Sequence, residues 1–528
     1  MEGWLTLSLI AALSTLLAFW YFKLSGGKKQ PLPPGPWRFP IIGSLHHVVS
    51  ALPHRTMTEL CRRHGPIMYL QLGEIPTVVV SSAEAVGQMM KANDAGFANR
   101  RTTGMQDIVG FGGKGIIFAP YGDHWRQMRK VCVAELLSSK QVKRMESVRA
   151  EEMGSLLRSI TASAGATINV SQKVAALSND VVARAVFGGK VSQQEDFIRA
   201  SDQIMDLLGG FFLVDLFPSS RLVRWLSNEE RRIKGCCEVI QGIITDVIVE
   251  RKAVRAAADG VDGEGLLDVL LTLQEEDSLE SPLTTEMITT VLFDMFGAAT
   301  DTTSTTLEWA MSELVNHPKV MAKAQLEVRE VLGPERAILT NSDIAELHYM
   351  RMVIKEALRL HPPGPLLNRK NEEDCKIMGY EMIKGTNIYI NVFAISQDPR
   401  FWNNPQEFNP ERFENNNLDY NGTCFEFTPF GCGRRRCPGI TFASSILEIA
   451  LANFLYHFDW MLPDGANSAS VDMSENFGLT VHVEVMTCSS ELFHTYAPKL
   501  CKYKPTIAVH TRMSVHVALC IHYNTRIS

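Results

Sequence analysis

The 528-residue sequence contains no CxxC…CxxC pair, no CxxCH and no GxxxxGK[S/T]. Zinc ribbons, covalent c-type heme attachment and P-loop phosphate binding are thereby excluded. The one glycine-rich run that invites the last reading, GFGGKG (Gly110–Gly115), lacks both the Lys-Ser/Thr ending and a strand before it. No excess of positive charge is present either. The 52 Lys and Arg are outnumbered by 58 Asp and Glu, giving a net charge of −6 and no footprint for nucleic acid. Eleven cysteines lie scattered without regular spacing and read as mostly reduced, as in a catalytic domain facing the cytosol. No internal repeat is found.

What is present begins at the N-terminus. Trp4 to Phe22 carries no charge, and its nineteen residues span roughly 28 Å as a helix, close to bilayer thickness. Lys23, Lys28 and Lys29 follow it while only Glu2 precedes, which predicts a single-pass anchor (1–22) with the rest of the chain in the cytoplasm. A cleaved signal peptide is disfavoured, because the basic residues follow the apolar run. The hinge (23–36) ends in PLPPGP, a stiff spacer.

The main body (37–481) reads as mainly α with small β-sheets, an α+β class. Strand-like runs such as Thr77–Val80 lead into helical periodicity from about Glu84. Val291–Leu314 is a long apolar helix, Ser445–Phe458 another, and Tyr380–Val392 alternates like strands. Ala257–Gly265 reads as an exposed loop. The last 47 residues (482–528) form an atypical tail holding five of 14 histidines and three of 11 cysteines, with no ligand pair at a metal spacing and one strand-like run at Val515–His522.

FGCGRRRCPG (Phe430–Gly439) brackets three arginines with Cys432 and Cys437. Zinc needs about four ligands and only two are here. A disulfide and a heme-thiolate loop are the other readings. Glycines that point N–H groups at sulfur, an arginine for a propionate, and a helix beginning after the second cysteine all suit the thiolate loop.

The stretch resembles the signature of the cytochrome P-450 family, Phe-x-x-Gly-x-Arg-x-Cys-x-Gly, with Phe430, Gly433, Arg435, Cys437 and Gly439 in place. The handful of other motifs agree in order: EALR (Glu356, Arg359) before HPPGP, PERF (Arg412), AATDTT (Ala298–Thr303) and WRQMRK (Trp125, Arg129). The resemblance covers about residues 31–481 and is similar to plant microsomal members, grass oxidases of terpenoid and defence compounds in particular.

The resemblance implies the cytochrome P-450 fold and heme b with Cys437 as its axial ligand, Cys432 falling on a variable position. It assigns Trp125, Arg129, Arg435 and Arg369 to the propionates, although Asn368 stands where the family has proline. It joins Glu356, Arg359 and Arg412 in a buried network, and makes Asp301 and Thr302 the acid and alcohol that relay protons to dioxygen. Ala299 replaces the family's usual glycine, and its added methyl narrows that groove. The implied substrate pocket draws on residues 102–118, 204–212, 293–298, 363–367 and 477–480, including Phe293, Ala298, Leu366 and Leu479.

The implied activity is hydroxylation of a hydrophobic small molecule at the endoplasmic reticulum membrane. NADPH supplies electrons through NADPH–cytochrome P-450 reductase, with cytochrome b5 a further candidate partner. Arg434 and Arg436 are candidates for docking the reductase. Two rival expectations are a peroxide-rearranging isomerase or dehydratase of the same fold, and a heme-binding pseudoenzyme disabled by a malformed last strand.

Overall fold

The computed structural model describes residues 14–15, 32–163, 166–257, 265–277, 279–334, 336–416, 418–462, 472–483 and 486–492. The expected anchor lies outside them except for Ser14 and Thr15, which are helical, and the hinge is described only from Leu32. The strand expected at Val515–His522 and most of the Ala257–Gly265 loop also lie outside.

The helices that frame the site are α1 (Pro53–His64), α2 (Ala83–Asn93), α3 (Asp123–Cys132), α4 (Val170–Phe187), α5 (Gln194–Gly209), α6 (Thr285–Asn316), α7 (His348–Leu360) and α8 (Ile440–His457). Helix α6 starts where Thr284 accepts a hydrogen bond from the Met287 N–H and Glu286 meets the positive end of the helix. It packs against α4, α7 and α8. Residues 288–297 and 303–315 are buried, as expected for a helix that is apolar on nearly all sides. Only 298–302 are more open. That single unpacked window coincides with AATDT.

Helix α8 is the one described helix long and apolar enough to cross a membrane, with mean hydropathy 1.2, but 67% of it is buried inside the protein. It is a core helix, and its N-cap is Gly439.

The strands form four small sheets. β1 (Ile67–Leu72), β2 (Ile75–Val80), β7 (Asn387–Asn391) and β4 (Leu366–Lys370) lie side by side in that order. The β1–β2 hairpin is antiparallel, with Tyr69 opposite Val78. Strands β2 and β7 pair in parallel, Val78 opposite Ile388, so the chain makes most of its helices between two neighbouring strands. β5 (Cys375–Ile377) and β6 (Tyr380–Met382) form a hairpin. β3 (Thr167–Asn169), β11 (Thr487–Leu492) and β8 (Phe458–Met461) form a third sheet, and β9 (Glu475–Phe477) with β10 (Val481–Val483) a fourth.

Past the expected boundary at 481 the described residues continue in strands. Strand β11 pairs Cys488 with Ile168 and Ser490 with Trp460. Val481, Val483, Met486 and Cys488 are buried, and the last three join the main core. Apolar residues at these positions seat the strands on the body.

Candidate heme-thiolate site

The Phe430–Gly439 loop is shaped by its glycines. Gly431 and Gly433 have φ of 72° and 67°, where a side chain is strained. At Gly433 a Cβ would also stand 2.5 Å from Asp94 Oδ1 and Met90 Sδ. The turn brings the Cys437 N–H to the Phe430 carbonyl at 2.9 Å. The Gly439 N–H then donates to Cys437 Sγ at 3.4 Å, and α8 begins at the next residue with its positive end toward that sulfur. Burial pushes the Cys437 thiol up, opposed by the Gly439 N–H and by Arg129, Arg100 and Arg436.

Cys432 has another environment. It is 1% exposed and packs among Ala85, Met89 and Ile390 in the core between α2 and the large sheet. Burial pushes its thiol up to about 11. Both cysteines are free, so the loop holds no disulfide. Among the described residues, no group of three or more His, Cys, Asp or Glu is arranged to hold a metal ion.

Arg129 from α3 and a residue the sequence reading missed, Arg100, lie beside Cys437, and Arg369 from β4 and Arg435 from the loop join them in one cluster. Arg435 donates to the carbonyls of Ala98 (2.6 Å), Ala119 (2.5 Å) and Ile116 (3.2 Å), and lies 4.5 Å over the Trp125 ring. The Trp125 indole donates to the same Ile116 carbonyl at 3.0 Å. Arg129 donates to the Arg436 carbonyl at 2.6 Å, and Arg100 to Ile117 at 3.0 Å. Arg369 is 2% exposed and donates to the Asn368 carbonyl at 2.8 Å. Burial together with the charges of Arg100, Arg369 and Arg129 lowers the Arg435 guanidinium to about 9. Burial and the charge of Arg369 are the main causes that bring Arg100 down to about 10. Among the described residues none of the four forms an ion pair. Clustered cations of this kind call for an anion. The two carboxylates of a heme beside a buried thiol meet that need.

Asp294 on α6 is a second residue the reading passed over. Its carboxylate accepts the N–H groups of Ile116 (2.7 Å) and Ile117 (3.0 Å), tying the arginine-binding loop to α6. Burial raises it to about 6 against those bonds and Arg100. A carboxylate inside the apolar run VLFDMFG was the available signal, since a buried charge needs donors.

The Glu356 network forms as expected. Arg359 Nε and Nη2 each donate to the Glu356 carboxylate at 2.8 Å, and Arg412 Nε donates to it at 2.8 Å. The Asn409 N–H adds a fourth bond at 2.9 Å. Arg359 also holds the carbonyls of Ser396, Pro405 and Glu407. By contrast Glu59–Arg62, with the same spacing, is an exposed surface pair.

On α6, Thr302 Oγ1 donates back to the Ala298 carbonyl at 2.8 Å. Asp301 turns elsewhere, to Thr480 Oγ1 at 2.6 Å and His482 Nε2 at 2.9 Å. Ala299, in the same open window, is partly buried against the main core. Of the expected pocket residues, Leu366 and Leu479 line one cleft together with Phe212, Phe477, Arg101 and Asp215. Phe293 is 3% exposed within the main core, and Ala298 lies in the open window of α6, so neither lines that cleft.

Residues 33–484 match the family model described as Cytochrome P450. The chain belongs to the cytochrome P450 family. This P450 is 44% identical over 483 residues to desmethyl-deoxy-podophyllotoxin synthase of Sinopodophyllum hexandrum, covering 90% of the chain and 95% of the relative. It is 44% identical to zealexin A1 synthase of Zea mays (90% and 94% covered) and to dolabradiene monooxygenase of Zea mays (89% and 94% covered). Among solved structures, a zebra fish cytochrome P450 with abiraterone superposes at a TM-score of 0.72 with 27% identity, covering 84% of this chain and 100% of that one. The P450 is therefore a heme-thiolate monooxygenase.

Proposed function

We propose that this P450 hydroxylates a terpenoid or a similarly hydrophobic plant metabolite, with heme b ligated by Cys437. The observation that carries the ligand assignment is the Gly439 N–H directed at Cys437 Sγ at the start of α8, with Cys432 buried in a different core. Arg100, Arg129, Arg369 and Arg435 would hold the propionates. When bound, the heme supplies the activation of dioxygen by two electrons, for a net reaction of substrate, O2, two electrons and two protons to alcohol and water.

The protein's share is positioning and proton handling. The Gly439 N–H and the charges of Arg129, Arg100 and Arg436 favour the thiolate form of Cys437. The Glu356–Arg359–Arg412 network fixes the segment that precedes the loop. Asp301 and Thr302, in the open window of α6, are the acid and the alcohol for the two protons. Leu366, Leu479, Phe212 and Phe477 supply apolar surface for the substrate. Electrons come from NADPH through NADPH–cytochrome P-450 reductase, for which exposed Arg434 beside Arg436 offers a cationic docking point. The uncharged run Trp4–Phe22 followed by lysines supports anchoring at the endoplasmic reticulum with the domain in the cytosol.

The substrate assignment rests on the terpenoid products and substrates that the relatives' names carry. Microsomes containing the full chain and reductase, given NADPH and a panel of sesquiterpene and diterpene hydrocarbons, test it. An NADPH-dependent product one oxygen heavier than a panel member supports the reading. Turnover of a fatty-acid hydroperoxide without NADPH, and of no panel member with it, refutes it.

A further inference from the structure

The acid of the site has partners that the sequence placed at the edge of the tail. His482 on β10 stands 2.9 Å from Asp301 through Nε2. Its Nδ1 is 2.8 Å from Thr305 Oγ1 and 3.8 Å from Glu308 Oε2. Asp301, Thr305 and Glu308 follow one another at i, i+4 and i+7, so they share one face of α6, and the imidazole spans them. Thr480 Oγ1 bridges the group, 2.6 Å from Asp301 Oδ2 and 2.7 Å from His482 Nε2. The Trp309 indole donates to the Val481 carbonyl at 2.8 Å and pins the strand to the same helix.

The surroundings favour a cation here. Asp301 and Glu308 face the imidazole from α6, and Asp202 from α5, with Asp206 beside Asp202. On the neighbouring strand, Glu475 is taken up by His54 and Arg55. Burial disfavours charge on His482, yet the hydrogen bond and charge of Asp301 and the proximity of Glu308 outweigh it, raising the imidazole to about 10. Nothing else on β10 carries positive charge.

We propose that His482 is a positioning residue for proton delivery: bridging Asp301 and Glu308 from β10, it holds the Asp301 carboxylate in one orientation at the open window of α6. The proposal rests on the monooxygenase reading above. Without that bridge Asp301 keeps, among the described residues, only the Thr480 hydroxyl as a side-chain partner, and its carboxylate is free to turn away. Proton supply at the site is then misplaced, and the same two electrons and two protons are spent on O2 to give hydrogen peroxide instead of alcohol and water.

The test compares full-length wild type with His482→Gln, which keeps a neutral donor, and His482→Arg, which keeps a permanent cation. Heme content and the ferrous–CO spectrum come first, so that only variants with a wild-type thiolate band are compared. With reductase, NADPH and the panel substrate that the wild type oxidises, peroxide released per NADPH is read between pH 7 and 9. Glutamine should raise it, toward about a hundredfold, the low end of what a general acid contributes, and arginine should restore it. A readout that needs no turnover is the thermal midpoint. The folded-state imidazole titrates above its ordinary value of 6.5, so its stabilisation is complete below 6.5 and lost as pH rises through about 10. The gap between wild type and His482→Gln should therefore be widest below pH 6.5 and narrow toward pH 10. Thiolate-type variants with unchanged peroxide ratios overturn the proposal, as does a glutamine defect that arginine fails to restore. Loss of the thiolate band in wild type would instead refute the Cys437 reading, and the two failures are thereby told apart.

Discussion

Replacing Glu356 with glutamine probes the part of the fold that holds the cysteine loop in place. Glu356 and Arg359 are both 0% exposed, and Arg412 is 9% exposed. The carboxylate accepts two bonds from Arg359, one from Arg412 and one from the Asn409 N–H. Glutamine keeps the volume but removes the charge and turns one acceptor into a donor, facing guanidinium N–H groups that cannot accept. Adding four charge-assisted bonds separately would overshoot, because they share one carboxylate. The relevant scale is a buried pair broken on one side, about 3–5 kcal/mol. Unfolding entropy for the roughly 450 residues of the domain is about 1 kcal/mol per degree, so the midpoint should fall by about 3–5 °C. Circular dichroism at matched scan rates reads this, and the fraction of heme retained with a thiolate-type CO band should fall with it. Glu59→Gln, in the exposed pair with Arg62 and Arg63, should leave the midpoint unchanged. A Glu356→Gln midpoint within a degree of wild type, with full heme retention, would refute the view that the network is a buried charge cluster.

Glu475 is pushed up by burial, but hydrogen bonds from Arg55 and His54 outweigh this and bring it to about 2. Its stabilisation is present above the ordinary value of 4.5 and lost as pH falls through about 2, so the stability gap between wild type and Glu475→Gln should be constant near neutrality and close in acid denaturation. Gly433→Ala forces a side chain into positive φ and against Asp94 and Met90, so it should lower heme incorporation markedly, measured as the heme-to-protein ratio, with folded helix content retained. Arg434→Ala with Arg436→Ala should weaken reductase affinity at low salt, and unchanged affinity removes the docking role.

The helical core and the loop chemistry were legible in the sequence for physical reasons. Apolar residues on nearly every side of Val291–Leu314 forced a buried helix, which the structure extends by six residues at its N-terminus and two at its C-terminus, to Thr285–Asn316. FGCGRRRCPG carried its own glycines and its own helix start. The functional residues that escaped lack such local marks. Arg100 is one of two consecutive arginines, and only tertiary packing brings it beside Cys437. His482 sat past an apparent change in composition, yet burial of Val481 and Val483 on either side of it fixes its strand and points its alternate side chain at α6. The side chain of Phe293 went the other way, into the core, because a helix buried all round gives no sequence clue to which face meets the cleft.

The central claim is that Cys437, and not Cys432, is the iron ligand, and the ferrous–CO spectrum of two single variants tests it directly. Wild type and Cys432→Ser should both give the thiolate-type Soret band, and Cys437→Ser should lose it. A thiolate band that survives Cys437→Ser, or that disappears in a folded Cys432→Ser protein, would contradict the account.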